Sequence, residues 1–170
     1  MKPKTLTLSA LFVLLIIGLL ASGNGAKGGA ASVQGASSNA SKSALVAPLV
    51  FHDFGTISMK NGNVTKEFTV TNPTNQDITV KTVVTSCMCT TAFLVEPEGG
   101  VKGPFGMPGH GGPVPPANEL VKAGESRIVR VVYDPNAHGP AGVGRIDRFV
   151  TLTDDSGGTL VYEIKANVTP

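Results

Sequence analysis

The chain has 170 residues, a formal net charge of +2 and no tryptophan. Its lysines and arginines are scattered rather than striped, so it has no basic track for a nucleic-acid backbone and that class is set aside. The two cysteines stand one residue apart, at Cys87 and Cys89, which makes any thiol chemistry local.

Lys2 and Lys4 precede an apolar stretch from Leu6 to Leu20, the order of a charged n-region and an h-region. A membrane span needs roughly 17 to 25 apolar residues, so residues 1–22 read as a cleaved signal peptide in preference to an N-terminal membrane anchor. Ala21, Gly23, Gly25 and Ala26 offer small residues for cleavage, and no cysteine lies nearby to take a lipid. The expected location is outside the cytoplasm, periplasmic or extracellular, with membrane contact only through the N-terminal segment if it is kept.

Residues 23–43 are almost wholly Gly, Ala, Ser and Asn with two lysines, too polar to repay the entropy of ordering, and are expected to be a flexible linker. Residues 44–170 then have single-domain length.

Within that domain, short β-branched runs alternate with Gly, Pro, Asn and Asp clusters, and helical spacing is absent. The first run, Leu45 to Phe54, carries Pro48 and is expected to stop at Gly55. Val64 to Thr71 sets Val64, Phe68 and Val70 against Thr65, Glu67, Thr69 and Thr71, the period of a half-buried strand. In the next run Ile78, Val80 and Val84 share one parity, with Thr79, Lys81 and Val83 on the other. Thr90 to Glu96, Ser126 to Tyr133, Arg145 to Thr153 and Thr159 to Val168 complete the set. In the last, Leu160, Tyr162, Ile164, Ala166 and Val168 fall on one face.

About seven strands with regular turn signals point to an all-β, immunoglobulin-like antiparallel β-sandwich, with a small barrel as the alternative. Without tryptophan, the core is expected to rest on aliphatic packing with Phe51, Phe54, Phe68, Phe93 and Phe149. A Gly- and Pro-rich stretch, about 97–118, reads as an inserted loop.

Residues i and i+2 of a strand face the same side, so Cys87 and Cys89 present both sulfurs together. On a regular strand their Cβ atoms would be roughly 6–7 Å apart, whereas a disulfide needs about 3.5–4.5 Å; closing the bridge therefore requires a bulge or bend. An oxidising compartment makes a local disulfide the default state of the pair. The same two sulfurs could instead grip copper(I) or zinc, with Met107 and His110 of the insertion as further donors of suitable softness. Thiol-redox chemistry is a third reading, although the thioredoxin-like βαβ context is missing. His138, inside Asp134-Pro135-Asn136-Ala137-His138-Gly139-Pro140, reads as part of a turn. No nucleophile-elbow sequence is present, and hydrolase chemistry is not expected.

Several motifs in order, Phe51-His52-Asp53-Phe54-Gly55-Thr56-Ile57, Phe68-Thr69-Val70-Thr71-Asn72, Ser86-Cys87-Met88-Cys89-Thr90 and Lys122-Ala123-Gly124-Glu125, resemble a bacterial Ig-like family of unknown function related in fold to hydin-type modules. The Ser-Cys-x-Cys-Thr element is the most specific of them. The resemblance implies an exported sandwich with no established enzymatic activity. It also implies a Gly between the cysteines where this chain has Met88, which is expected to make the turn harder to form. The function expected is a non-enzymatic binding or assembly module of the cell envelope, whose partner is a protein or another envelope component.

Overall fold

The computed structural model describes residues 41–110 and 112–170. The expected signal or anchor, and all but the last three residues of the expected linker, lie outside the described residues. Among the described residues no helix is long and apolar enough to cross a membrane.

Among the described residues nine strands are formed: β1 Phe51–Ser58, β2 Val64–Thr71, β3 Ile78–Thr85, β4 Thr90–Val95, β5 Val101–Phe105, β6 Glu119–Val121, β7 Ser126–Tyr133, β8 Gly144–Asp154 and β9 Thr159–Thr169. They build a five-stranded sheet, β1-β9-β8-β3-β6, facing a four-stranded sheet, β2-β7-β4-β5. All pairs are antiparallel except β1 with β9, which is parallel. The architecture is the immunoglobulin-like sandwich that the strand pattern predicts.

The core lies between the sheets. Val80, Val83, Val150, Leu152, Tyr162 and Ile164 face inward from one side, and Phe68, Val70, Leu94, Val129, Val131 and Tyr133 from the other. Strand β9 buries all five residues of the predicted face, Leu160 through Val168. The Phe68 and Tyr162 rings meet across the core with centroids 4.7 Å apart, within the range of favourable aromatic pairs.

Four expectations change. Gly55 does not end β1: at φ +69° it sits in a register shift between Asp53 and Thr56, a bulge that the strand passes through. In β3 a similar shift between Val80 and Thr82 reverses the parity, so Val83 is fully buried and Val84 is not. Of the five expected core phenylalanines only Phe68 is fully buried. Phe51 and Phe149 are exposed because both register with Glu163 on the outward face of β9, opposite in parity to Tyr162 and Ile164.

The fourth change concerns the insertion, which is not all loop. Val101–Phe105 pairs with β4, Phe105 enters the core at 1% exposure, and Glu119–Val121 adds an edge strand to β3.

The residues just before 44 are bonded to the sandwich. Ser43 N–H donates to Thr159 O and Thr159 N–H donates to Ser41 O, while the buried Ser43 Oγ donates to Asp154 Oδ2. Burial alone would raise the Asp154 carboxyl. Hydrogen bonds from the hydroxyls of Ser156 and Ser43 and from the N–H groups of Gly158 and Ser156 outweigh it and hold the group below its ordinary value. This seam leaves no space at Gly158, where a Cβ would stand 2.8 Å from Ser43 Cα and 2.9 Å from Asp154 Oδ2. Gly158→Ala is expected to cost about 1–3 kcal/mol by overpacking and to speed hydrogen exchange at the Ser43 and Thr159 amides before exchange in β7 changes.

Candidate functional site

Strand β3 ends at Thr85, and the chain reverses into β4 through Ser86-Cys87-Met88-Cys89. The reversal is tightly bonded. The Cys87 carbonyl accepts from Thr85 Oγ1 at 3.0 Å and from Thr90 N–H at 3.1 Å. Ser86 is clamped to β8 in both directions: its N–H donates to Phe149 O and its Oγ accepts from Phe149 N–H, each at 2.9 Å. The Cys89 carbonyl accepts from Asp134 N–H at 2.9 Å. The serine and threonine of the motif thus hold the turn whose middle carries the sulfurs.

Because the segment bends rather than extends, the Cys87 and Cys89 Cα atoms come within 5.3 Å and the two are joined by a disulfide, as the local-bridge reading requires. Met88, at the corner, is half exposed, and among non-glycine residues described only Asn118 has positive φ. The turn therefore does not need the glycine that the resemblance implies.

Besides its neighbours within the turn, each sulfur meets one side chain from a distant segment that the sequence does not mark. His138 Nε2 lies 3.1 Å from Cys87 Sγ, and Arg148 Nε donates to Cys89 Sγ at 3.2 Å. Cys87, Cys89 and His138 place one donor atom each within 4.8 Å of one another.

His138 is brought there by the loop after β7. Thr90 registers with Tyr133, so residues just before β4 meet residues just after β7. Asp134 accepts from Asn136 N–H at 2.8 Å and folds the loop back, with Asn136 Nδ2 bonded to Met59 O. The imidazole is exposed, while Cys87 is 9% and Cys89 2% exposed, so the site is open on the histidine side.

Met107 and His110, together with Met88, Thr90 and Pro104, line a cavity of about 360 Å³ whose described lining includes neither cysteine. The four donors grouped from the sequence thus divide between two places, and His138, 49 residues from Cys89, carries no spacing signal that would mark it.

Residues 49–98 match the family described as "Protein of unknown function (DUF1573)". The matched segment runs from the start of β1 through the cysteine turn and β4. No curated protein matches. Among solved structures, the chain is similar to a protein of unknown function from Porphyromonas gingivalis at 14% identity and TM-score 0.54, over 75% of this chain and 48% of that one. It is also similar to a family 123 glycoside hydrolase from Clostridium perfringens at 5% identity and TM-score 0.50, over 71% of this chain and 23% of that one. An ASH/PapD-like domain of human CEP192 aligns at 11% identity and TM-score 0.46, over 75% and 87%. The chain spans about half the length of the P. gingivalis protein. The first two likenesses establish the shared sandwich fold and nothing of activity.

Proposed function

We propose that this domain is a non-enzymatic binding module of the exported cell envelope, and that its working element is the Cys87–Cys89 turn, which in dithiol form takes one copper(I) ion. The observation that carries this reading is the convergence of Cys87, Cys89 and His138, one donor atom each within 4.8 Å. Two thiolates and an imidazole are a soft, three-coordinate set, which suits copper(I). Structural zinc sites call for four ligands, and among the described residues this cluster has three.

Charge favours the monovalent ion too. Two thiolates and copper(I) sum to one negative charge, which Arg148 at Cys89 offsets; with zinc the thiolates are already neutralised, and Arg148 would leave an excess positive charge. The disulfide must open first. A dithiol reductant supplies two electrons and two protons, the S–S bond breaks to two thiols, and copper(I) then displaces the thiol protons.

The test is titration of the reduced full chain with copper(I) against a colorimetric chelator. One equivalent is expected to be held at this site by the reduced protein and none at it by the disulfide form. Cys87→Ser or Cys89→Ser is expected to abolish uptake of that equivalent, and His138→Ala to weaken it by roughly tenfold or more, at least the loss seen when an outer-shell partner of a metal ligand is removed. Failure of the reduced protein to compete, or unchanged uptake by both serine variants, would retire the metal reading.

A further inference from the structure

The outer side of the same turn carries a second set of soft donors that uses no thiol. Met107-Pro108-Gly109-His110 closes as a β-turn, with His110 N–H donating to Met107 O at 3.3 Å and Gly109 at φ +81°. Proline followed by a positive-φ glycine at the two central positions is the signature of a type II turn, which brings its first and last residues within about 7 Å at Cα. Met107 and His110 are those two residues.

The segment is tied to β3 at both ends, at one of them beside the cysteine turn. Thr85 N–H donates to Gly106 O at 3.1 Å just before Met107, and Ala117 N–H donates to Lys81 O at 2.9 Å after it. The third donor, Met88, projects from the corner of the cysteine turn, half exposed, into the same cavity of about 360 Å³. Among the described residues no Asp, Glu, Lys or Arg lines that cavity.

We propose that Met88, Met107 and His110 form a second metal site, specific for a soft monovalent ion, copper(I), and available while Cys87 and Cys89 are disulfide-bonded. Two thioethers and a neutral imidazole bring no negative charge, so hard or divalent ions gain little from them, whereas copper(I) is matched in softness. Proline at positions 104 and 113 of the cavity wall limits backbone freedom, so less ordering entropy opposes binding. Since Met88 lies between the two cysteines in sequence, the two sites share one turn and an ion held outside is poised beside the thiols once they are reduced. The outer site does not depend on the cysteine site's taking metal.

Silver(I), a soft monovalent ion that does not change oxidation state, is the probe. The disulfide-intact full chain, carrying ¹³C-methyl methionine, is titrated with silver nitrate in chloride-free buffer and followed by NMR. The ε-methyl signals of Met88 and Met107 are expected to move together and saturate at one ion per chain, with Met59 unmoved as internal control. Met88→Leu with Met107→Leu keeps side-chain volume and is expected to abolish saturable binding, while His110→Ala weakens it roughly tenfold or more. Zinc(II) is expected to move none of these signals. Immobile Met88 and Met107 signals, independent saturation of the two, unchanged affinity in His110→Ala, or an equal response to zinc would each overturn the proposal. Because the thiols are absent throughout, the result is separate from the outcome at the cysteine site.

Discussion

Replacing Arg127 with methionine is expected to destabilise the domain by about 3–5 kcal/mol, the cost of breaking a buried ion pair by removing one partner. Arg127 lies on β7 of the four-stranded sheet, and its partner Glu119 lies on β6 of the five-stranded sheet, with side chains 8% and 3% exposed. The guanidinium donates from Nε to Glu119 Oε1, from Nη1 to Glu125 Oε2 and from Nη2 to Leu120 O, so one side chain ties the two sheets together. Lys102 on β5 also holds Glu119 and keeps the carboxylate from being stranded, which sets the expected loss at the lower end of that range.

Burial pushes the Glu119 carboxyl up, but hydrogen bonds and charge from Lys102 and Arg127 win and hold it below its ordinary value. Its stabilising contribution is therefore present above the unfolded glutamate range, near pH 4.5, and is lost as pH falls through the depressed folded value. Urea unfolding of Arg127→Met at pH 7 and pH 3 is expected to show a large deficit against the parent at the first and a smaller one at the second. Equal stability at pH 7 would refute the clamp.

Phe105→Ala is expected to cost about 3–5 kcal/mol, the usual loss for emptying a buried aromatic site. A residue in a solvated loop would cost within about 0.5 kcal/mol. Phe105 is 1% exposed and ends β5, where it registers with Ala92. The denaturation midpoint of this variant thus decides between an inserted loop and a strand that completes the second sheet, and a midpoint like the parent's would leave β5 without a structural role.

The strand pattern was legible wherever two-residue periodicity ran unbroken. Strand β9, with Leu160, Tyr162, Ile164, Ala166 and Val168 alternating against polar residues, could be read without a partner because every inward position is apolar. Legibility failed where a bulge inserted an extra residue. In β3 nothing in Val80-Lys81-Thr82-Val83-Val84 marks the shift that exchanges Val84 for Val83 in the core. It also failed for Phe105, since Gly103 and Pro104 carry the usual signs of a loop while an edge strand tolerates both.

The candidate site divides along the same line. From the sequence alone came its sulfurs, their common direction, the need for a bend between them, and the all-β class that carries them, because local spacing and two-residue periodicity are properties of a few adjacent residues. Folding in three dimensions decided which imidazole stands beside Cys87, that Arg148 faces Cys89, and that Met107 and His110 line a cavity with Met88. Those neighbours depend on the pairing of β4 with β7 and of β3 with β8, contacts between distant segments whose register is set by the burial of both sheets at once, and no short stretch of chain contains that information.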